Sequence, residues 1–392
     1  MSWISRCACL FRVLERRRRF ALATLLNSIA LVTAFSLFGF ANAASSPEEF
    51  LRHEMQLSPD EITDVQNGKA VAKILPSSKP SDIYVFGAVY IHAKPAAYLQ
   101  FMRDMSRLKK VSGYLGVGEF STPPTVGDMA GLSVEQADIQ DVKNCRPGKC
   151  DVQLPEESIA AARASINWKL PDTDEQVNKL AKVGILRLLN EYQQSGDAAL
   201  LPYGDKRDPV PVAEQFQSLL SRVEFFPEYL PDLNDYLLHY PQSKPEGAQD
   251  FFYWEKVNFG LKPTIRVNHG IVYRLSGQAH RIHVLAIKQL YATHYFQTAL
   301  DLSFCVQRSN ASAEDGFYLI TVKASRQSGL TGVKGGLVRH AAVNKIRSAL
   351  ENALNSIREN LEHRTELPYE KSSRGVCQSE ERQNVSRGES CD

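Results

Sequence analysis

The stretch Lys262-Pro-Thr-Ile-Arg-Val-Asn-His-Gly-Ile-Val-Tyr-Arg274 alternates with a period of two. Ile265, Val267, His269, Ile271 and Tyr273 fall on one side, and Arg266, Asn268 and Arg274 on the other. That is the period of a strand, because successive side chains point to opposite faces of a sheet. Working outward, residues 283–293, 295–306 and 317–324 are further strand-like runs, the last two joined by a polar turn over 309–316. The period then changes. Across 337–362, Val343, Ile346, Leu350, Leu354, Ile357 and Leu361 recur at three- and four-residue steps, the spacing of a long amphipathic helix. Consecutive antiparallel strands feeding one long terminal helix predict an α+β fold.

Upstream, residues 69–75 and 83–91 are strand candidates, the second rich in aromatic and β-branched side chains. Residues 94–108 carry the helical stripe Tyr98, Leu99, Met102, Met105, Leu108. Residues 114–120 and 134–142 are predicted strands. Ser46-Pro47 and Ser58-Pro59, each followed by acidic residues, mark the starts of two short helices. From 155 to 240 the pattern turns helical, with helices expected over 156–168, 174–194, 212–223 and 229–239. The clearest stripe there is Val177, Leu180, Ile185, Leu188, Leu189 and Tyr192.

This element order is similar to that of the START-like, or helix-grip, superfamily. The likeness is carried by residues 83–108 and 264–361 and is one of order, with no specific motif. It implies a curved antiparallel sheet gripping the C-terminal helix, with an apolar cavity between them. Members bind lipids, sterols or aromatic compounds, and a few are cyclases or hydratases. On that reading residues 44–154 and 246–365 form the START-like domain and 155–245 a helical insertion. The insertion departs from the family's pattern, as does the signal at the N-terminus.

There, Arg16 to Arg19 run into the apolar segment from Phe20 to Phe40, which ends in Ala41-Asn42-Ala43. A positive start, an apolar run and a small-residue site describe an export signal over 1–43, placing the protein in a periplasm or outside the cell. The alternative is an uncleaved membrane anchor. Arg17-Arg18-Arg19-Phe20 also resembles part of a twin-arginine export motif. The chain has a net charge of +2, and six arginines and one glutamate precede Ala44. The remainder is therefore weakly acidic and carries no basic patch for nucleic acid. Cys145-Arg-Pro-Gly-Lys-Cys150 places a Pro-Gly turn between two cysteines, which in an oxidising compartment predicts a disulfide. Cys305 reads as a core residue, and Cys377 and Cys391 lie in a charged tail, 366–392, expected to be disordered.

No G-x-S-x-G, H-E-x-x-H, C-x-x-C or phosphate-loop signature occurs, and no cofactor is expected. The glycine-rich run 328–336 reads as a connector, or as a loop at a cavity mouth. His269, on the apolar side of its strand, is either a hydrogen-bonded core histidine or a polar anchor for a ligand. Tyr273, Lys288, Tyr291 and His294 are the companion candidates; Lys288 and His294 share one parity and Tyr291 the other. The nearby histidines lack the tight ligand pairs of a metal site, so none is assigned. The aromatics 251–254, with Phe225, Phe226 and Tyr229, either line an opening or membrane-facing lip or pack the insertion onto the sheet. Asn310-Ala-Ser312 matches a glycosylation sequon. The reading that follows is an exported protein binding a hydrophobic or amphipathic small molecule such as a lipid, with membrane-surface contact as a further expectation. The alternatives are a START-like enzyme on an aromatic or polyketide-like substrate, using His269 or Tyr273 as acid or base, and a structural envelope protein with a filled core.

Overall fold

The computed structural model describes residues 46–366 except 112, 259–261, 276–281, 308–315 and 329–331, together with the backbone only of 332–342 and 364–366. The expected export signal, the sequon and the cysteines of the tail lie outside the described residues.

Two short helices open the described chain, α1 (Pro47–His53) and α2 (Pro59–Gln66). Each begins with a reciprocal cap, Ser46 with Glu49 and Ser58 with Glu61, as the Ser-Pro starts predict. Then come β1 (Val71–Leu75), β2 (Asp82–Ile91), α3 (Pro95–Arg103), α4 (Met105–Leu108) and β3 (Tyr114–Glu119). A helical block follows: α5 (Gln136–Asn144), α6 (Glu156–Ser165), α7 (Thr173–Ser195), a 3₁₀ turn at Gly196–Ala199, α8 (Val212–Leu220), α9 (Phe225–Tyr229) and α10 (Pro231–His239). The chain closes with β4 (Gln249–Val257), β5 (Thr264–Leu275), β6 (Ile282–Ala292), β7 (Phe296–Val306), β8 (Phe317–Gln327) and the long helix α11 (Gly332–Glu366).

The eight strands form one curved antiparallel sheet in the order β1-β2-β8-β7-β6-β5-β4-β3. β4 to β8 run as a meander, and β2 pairs with β8 from Asp82 opposite Arg326 to Ile91 opposite Phe317. The buried ion pair Arg326–Asp82, at 2.6 and 2.8 Å, sits at one end of that pairing. A one-residue slip would separate the two charges and turn every side chain of β2 to the wrong face.

Both faces of the sheet are covered, so β2 is buried along nearly its whole length. On one face Tyr84, Phe86, Val267, Ile271, Leu302 and Ile320 pack with Leu189, Phe216, Phe226 and Leu233 of the helical block. On the other, Ile83, Val85, Val89, Leu285 and Leu319 pack with Tyr98 and Leu99 of α3 and with Leu350, Leu354 and Leu361 of α11. The sheet therefore grips the terminal helix as expected. The grip is tight at Gly87, where an added Cβ would come within 2.7 Å of Leu354 Cδ1 and 2.9 Å of Leu350 Cδ2. Beyond β1, Asn355 Oδ1 accepts from Ala70 N at 3.1 Å and Glu351 Oε1 from Ala72 N at 3.4 Å, while Arg358 donates to the carbonyl of Gly68.

Several expectations are corrected. The predicted strand over 134–142 is α5, whose Asp138, Ile139 and Val142 are buried at helical spacing. The helix predicted over 94–108 breaks at Asp104, whose side chain accepts from Arg107 N at 3.1 Å and so starts a new turn. The aromatic run 251–254 is strand β4, with Phe252 and Trp254 facing the helical block and Phe251 and Tyr253 facing α3 and α11. Phe225 and Phe226 pack against Phe304, with ring centroids 6.1 and 6.4 Å apart, so they join the block to the sheet.

Candidate functional site

All five predicted site residues extend from the face that carries the helical block, so none reaches the space between the sheet and α11. His269 and Lys288 lie opposite each other on β5 and β6, and both are wholly buried. His269 Nε2 meets Asp250 Oδ1 at 2.8 Å and Nδ1 meets Tyr192 Oη at 3.2 Å. A neutral ring satisfies both contacts by donating from Nε2 and accepting at Nδ1. Burial lowers the His269 pKa and outweighs the upward pull of Asp250. Asp250 also accepts from Tyr236 Oη at 2.9 Å and Lys244 Nζ at 2.6 Å. Burial works to raise its pKa, but the hydrogen bond with His269, followed by those from Lys244 and Tyr236, brings it down to about 2. Lys288 Nζ donates to Asp197 Oδ1 at 2.5 Å and to the carbonyl of Leu237 at 3.0 Å, and lies 3.9 Å from the centre of the Phe216 ring. Lys288, a companion candidate for ligand contact in the sequence, is held instead by a buried ion pair with Asp197 and a backbone carbonyl. Each of these groups already has its partners, and the partners come from α7, the following turn, α10 and β4. The cluster is a polar bolt between the block and the sheet, with no group left over for a ligand.

Tyr273 lies farther along β5 and is also buried. Burial raises its pKa, with a smaller contribution from Asp232 at the start of α10.

Tyr291 and His294 lead elsewhere. The pairing of β5 with β6 shifts between Val267 and Asn268, so that Val267 faces Tyr291 while Asn268 faces Gln289. This bulge adds one residue to β6 and brings Tyr291 onto the same face as Lys288, against the strict parity of the sequence. Tyr291 Oη donates to the carbonyl of Gln153 at 2.9 Å. Its ring joins Ile265 and Leu290 in lining a cavity of about 270 Å³. The walls are α5, α6 and α7, through Val142, Ala161, Ala162, Leu180, Gly184 and Leu188. His294 stands behind this lining, with Nε2 3.0 Å from both oxygens of the buried Asp138, itself a lining residue.

The space is a consequence of small side chains. Ala161 and Ala162 on α6 and Ala181 and Gly184 on α7 keep their helices from filling it. A Cβ built on Gly184 meets nothing within 4 Å. A glycine inside a helix costs about 0.5–1 kcal/mol relative to alanine, and no close packing explains this one. The outer wall is fastened below by the Cys145–Cys150 disulfide, which forms as the sequence predicts. Its hairpin is held to the loop beyond α7 by Gly148 N to Gly204 O at 2.8 Å and Cys150 N to Asp205 O at 2.9 Å. At the mouth, Arg187 of α7 reaches Glu157 of α6 at 3.3 Å and Glu191 of its own helix at 2.7 Å.

The signal that the sequence reading passed over is the run Ala160-Ala161-Ala162 facing a helix that carries Ala181 and Gly184. The strand-like spacing of Ile139 and Val142 conceals that Asp138 lies on a buried helix face. Among the described residues no group of histidine, cysteine or acidic side chains is placed to hold a metal ion, and no helix is long and apolar enough to cross a membrane. Against family models, curated proteins and solved structures the chain gives no match.

Proposed function

We propose that this is an exported protein of START-like architecture that binds an apolar or amphipathic small molecule in the cleft between α5, α6, α7 and the β5–β6 bulge. The observation that carries the reading is the apolar cleft between α6 and α7, lined by Ala161, Ala162, Leu180 and Leu188, with the exposed Gly184 leaving its mouth open. Its volume, about 270 Å³, falls just below the usual range for small-molecule pockets, about 300–1,000 Å³. Burying ten methylene groups there would contribute roughly 8 kcal/mol before ordering costs are subtracted. The disulfide supports the exported setting, since such bonds persist in oxidising compartments. The site lies on the face opposite the one where the helix-grip resemblance would put a ligand. The enzyme reading is weaker, because both ring nitrogens of His269 are engaged within a closed cluster.

The test is uptake of the neutral fluorescent probe N-phenyl-1-naphthylamine by the wild type and by Gly184→Leu. The leucine has room to enter the cleft and improves helix propensity by roughly 1 kcal/mol. Uptake by the wild type, its loss in the variant and an unchanged or raised melting temperature are the expected results. Equal uptake by both proteins places the probe elsewhere and defeats the proposal.

A further inference from the structure

The charged groups of this cleft select the kind of molecule it takes. The lining contains three carboxylates, Asp138, Glu157 and Glu191, against a single cation, Arg187. That arginine is already shared between Glu157 and Glu191, leaving one uncompensated negative charge at the mouth. The inner carboxylate, Asp138, is engaged from behind by His294 and by Lys262 Nζ at 3.9 Å. A carboxylate ligand would therefore meet another carboxylate at either end of the cleft. It would have to displace Glu157 or Glu191 from Arg187 to find a partner. Arg187 holds only Oε1 of Glu157 and Oε1 of Glu191, so an ammonium group can approach the second oxygen of each while the two carboxylates together outweigh the one guanidinium. Like charges brought together repel, and because the rim groups are largely exposed the effect is modest and strongest at low salt.

From this complementarity we infer that the ligand is an amphiphile with a cationic amine head, its chain seated between α6 and α7 and its head beside the carboxylate oxygens of Glu157 and Glu191 that Arg187 does not hold. The inference rests on the cleft being the binding site and names the ligand class for it. Glu157 and Glu191 are both partly exposed, at 49 and 43 % of the side chain, so replacing them leaves the core untouched.

The experiment measures displacement of N-phenyl-1-naphthylamine at pH 7 and low salt by dodecylamine, dodecanol and dodecanoate, which share one apolar chain. Dodecylamine is expected to bind about tenfold more tightly than dodecanoate, with dodecanol between them, since each rim carboxylate contributes a few-fold. In the double variant Glu157→Gln/Glu191→Gln the freed Arg187 reverses the order. Dodecanoate binding as tightly as dodecylamine to the wild type, while Gly184→Leu still blocks both, overturns the amine inference and leaves the cleft standing. An order unchanged in the double variant overturns the role given to the rim. Displacement by none of the three compounds, or displacement that Gly184→Leu does not alter, overturns the cleft reading and this inference with it.

Discussion

Lys288 has no exposed surface and burial lowers its pKa, so its charge depends on the one charged partner it has among the described residues, an oxygen of Asp197. Replacing Asp197 by alanine leaves that ammonium uncompensated, and breaking a buried pair in this way costs about 3–5 kcal/mol. Urea unfolding of Asp197→Ala should show a loss of that size, while Asp197→Leu combined with Lys288→Met should recover most of it. An Asp197→Ala variant as stable as the wild type would contradict the bolt. His269 adds a pH dependence. Burial lowers its pKa, so the unfolded chain takes up a proton near pH 6.5 that the folded chain refuses. The unfolded state then binds more protons, and stability falls as pH drops below about 6.5. Asp250, held down at about 2, adds its own loss only in strong acid, below its unfolded value near 4. The melting temperature should fall between pH 7.5 and 5.5 in the wild type and stay flatter in His269→Gln; parallel profiles would remove His269 as the cause. At this scale the strand period showed that His269 sits among apolar neighbours. It could not show which layer covers that side, because a period of two separates the faces without identifying them. Tyr291 and Lys288 were assigned to opposite faces because a bulge leaves no mark in the spacing of side chains.

The elements themselves were largely legible. Seven of the eight strands and the terminal helix follow from period and composition, since long, strongly patterned segments carry redundant signal. The misses have local causes. Strand β4 is buried on both faces, so Phe251 to Trp254 show no alternation. Val134, just before α5, and Ile139 and Val142 within it lie close enough together to imitate a strand. Asp104 ends α3 with its side chain by capping α4, which hydrophobic spacing does not report. The seat of α11 gives a prediction at this scale. Gly87→Val would drive two methyl groups into Leu350 and Leu354, and overpacking of this kind costs typically 1–3 kcal/mol. The expected result is a lower urea midpoint with faster amide exchange along β1 and the second half of α11. Exchange that rises only in the helical block would argue against the contact.

For the molecule as a whole, the order of elements was sufficient to predict a sheet with a long helix on one face. It was not sufficient to place the cleft, which depends on a helical block lying against the other face and on small residues far apart in sequence meeting there. Residues 71–91 form a strand pair of their own, but the pairing of β2 with β8 that joins them to the centre of the sheet waits until most of the chain exists. The side chains of α11 that occupy the backbone donors of Ala70 and Ala72 therefore have a second meaning. An open strand edge is a template on which another chain can add itself. Strand β1 is made early and its guard is made last, so during synthesis its edge remains open to partners until the terminal helix arrives. The interval between those two events is a window in which an open edge can template aggregation.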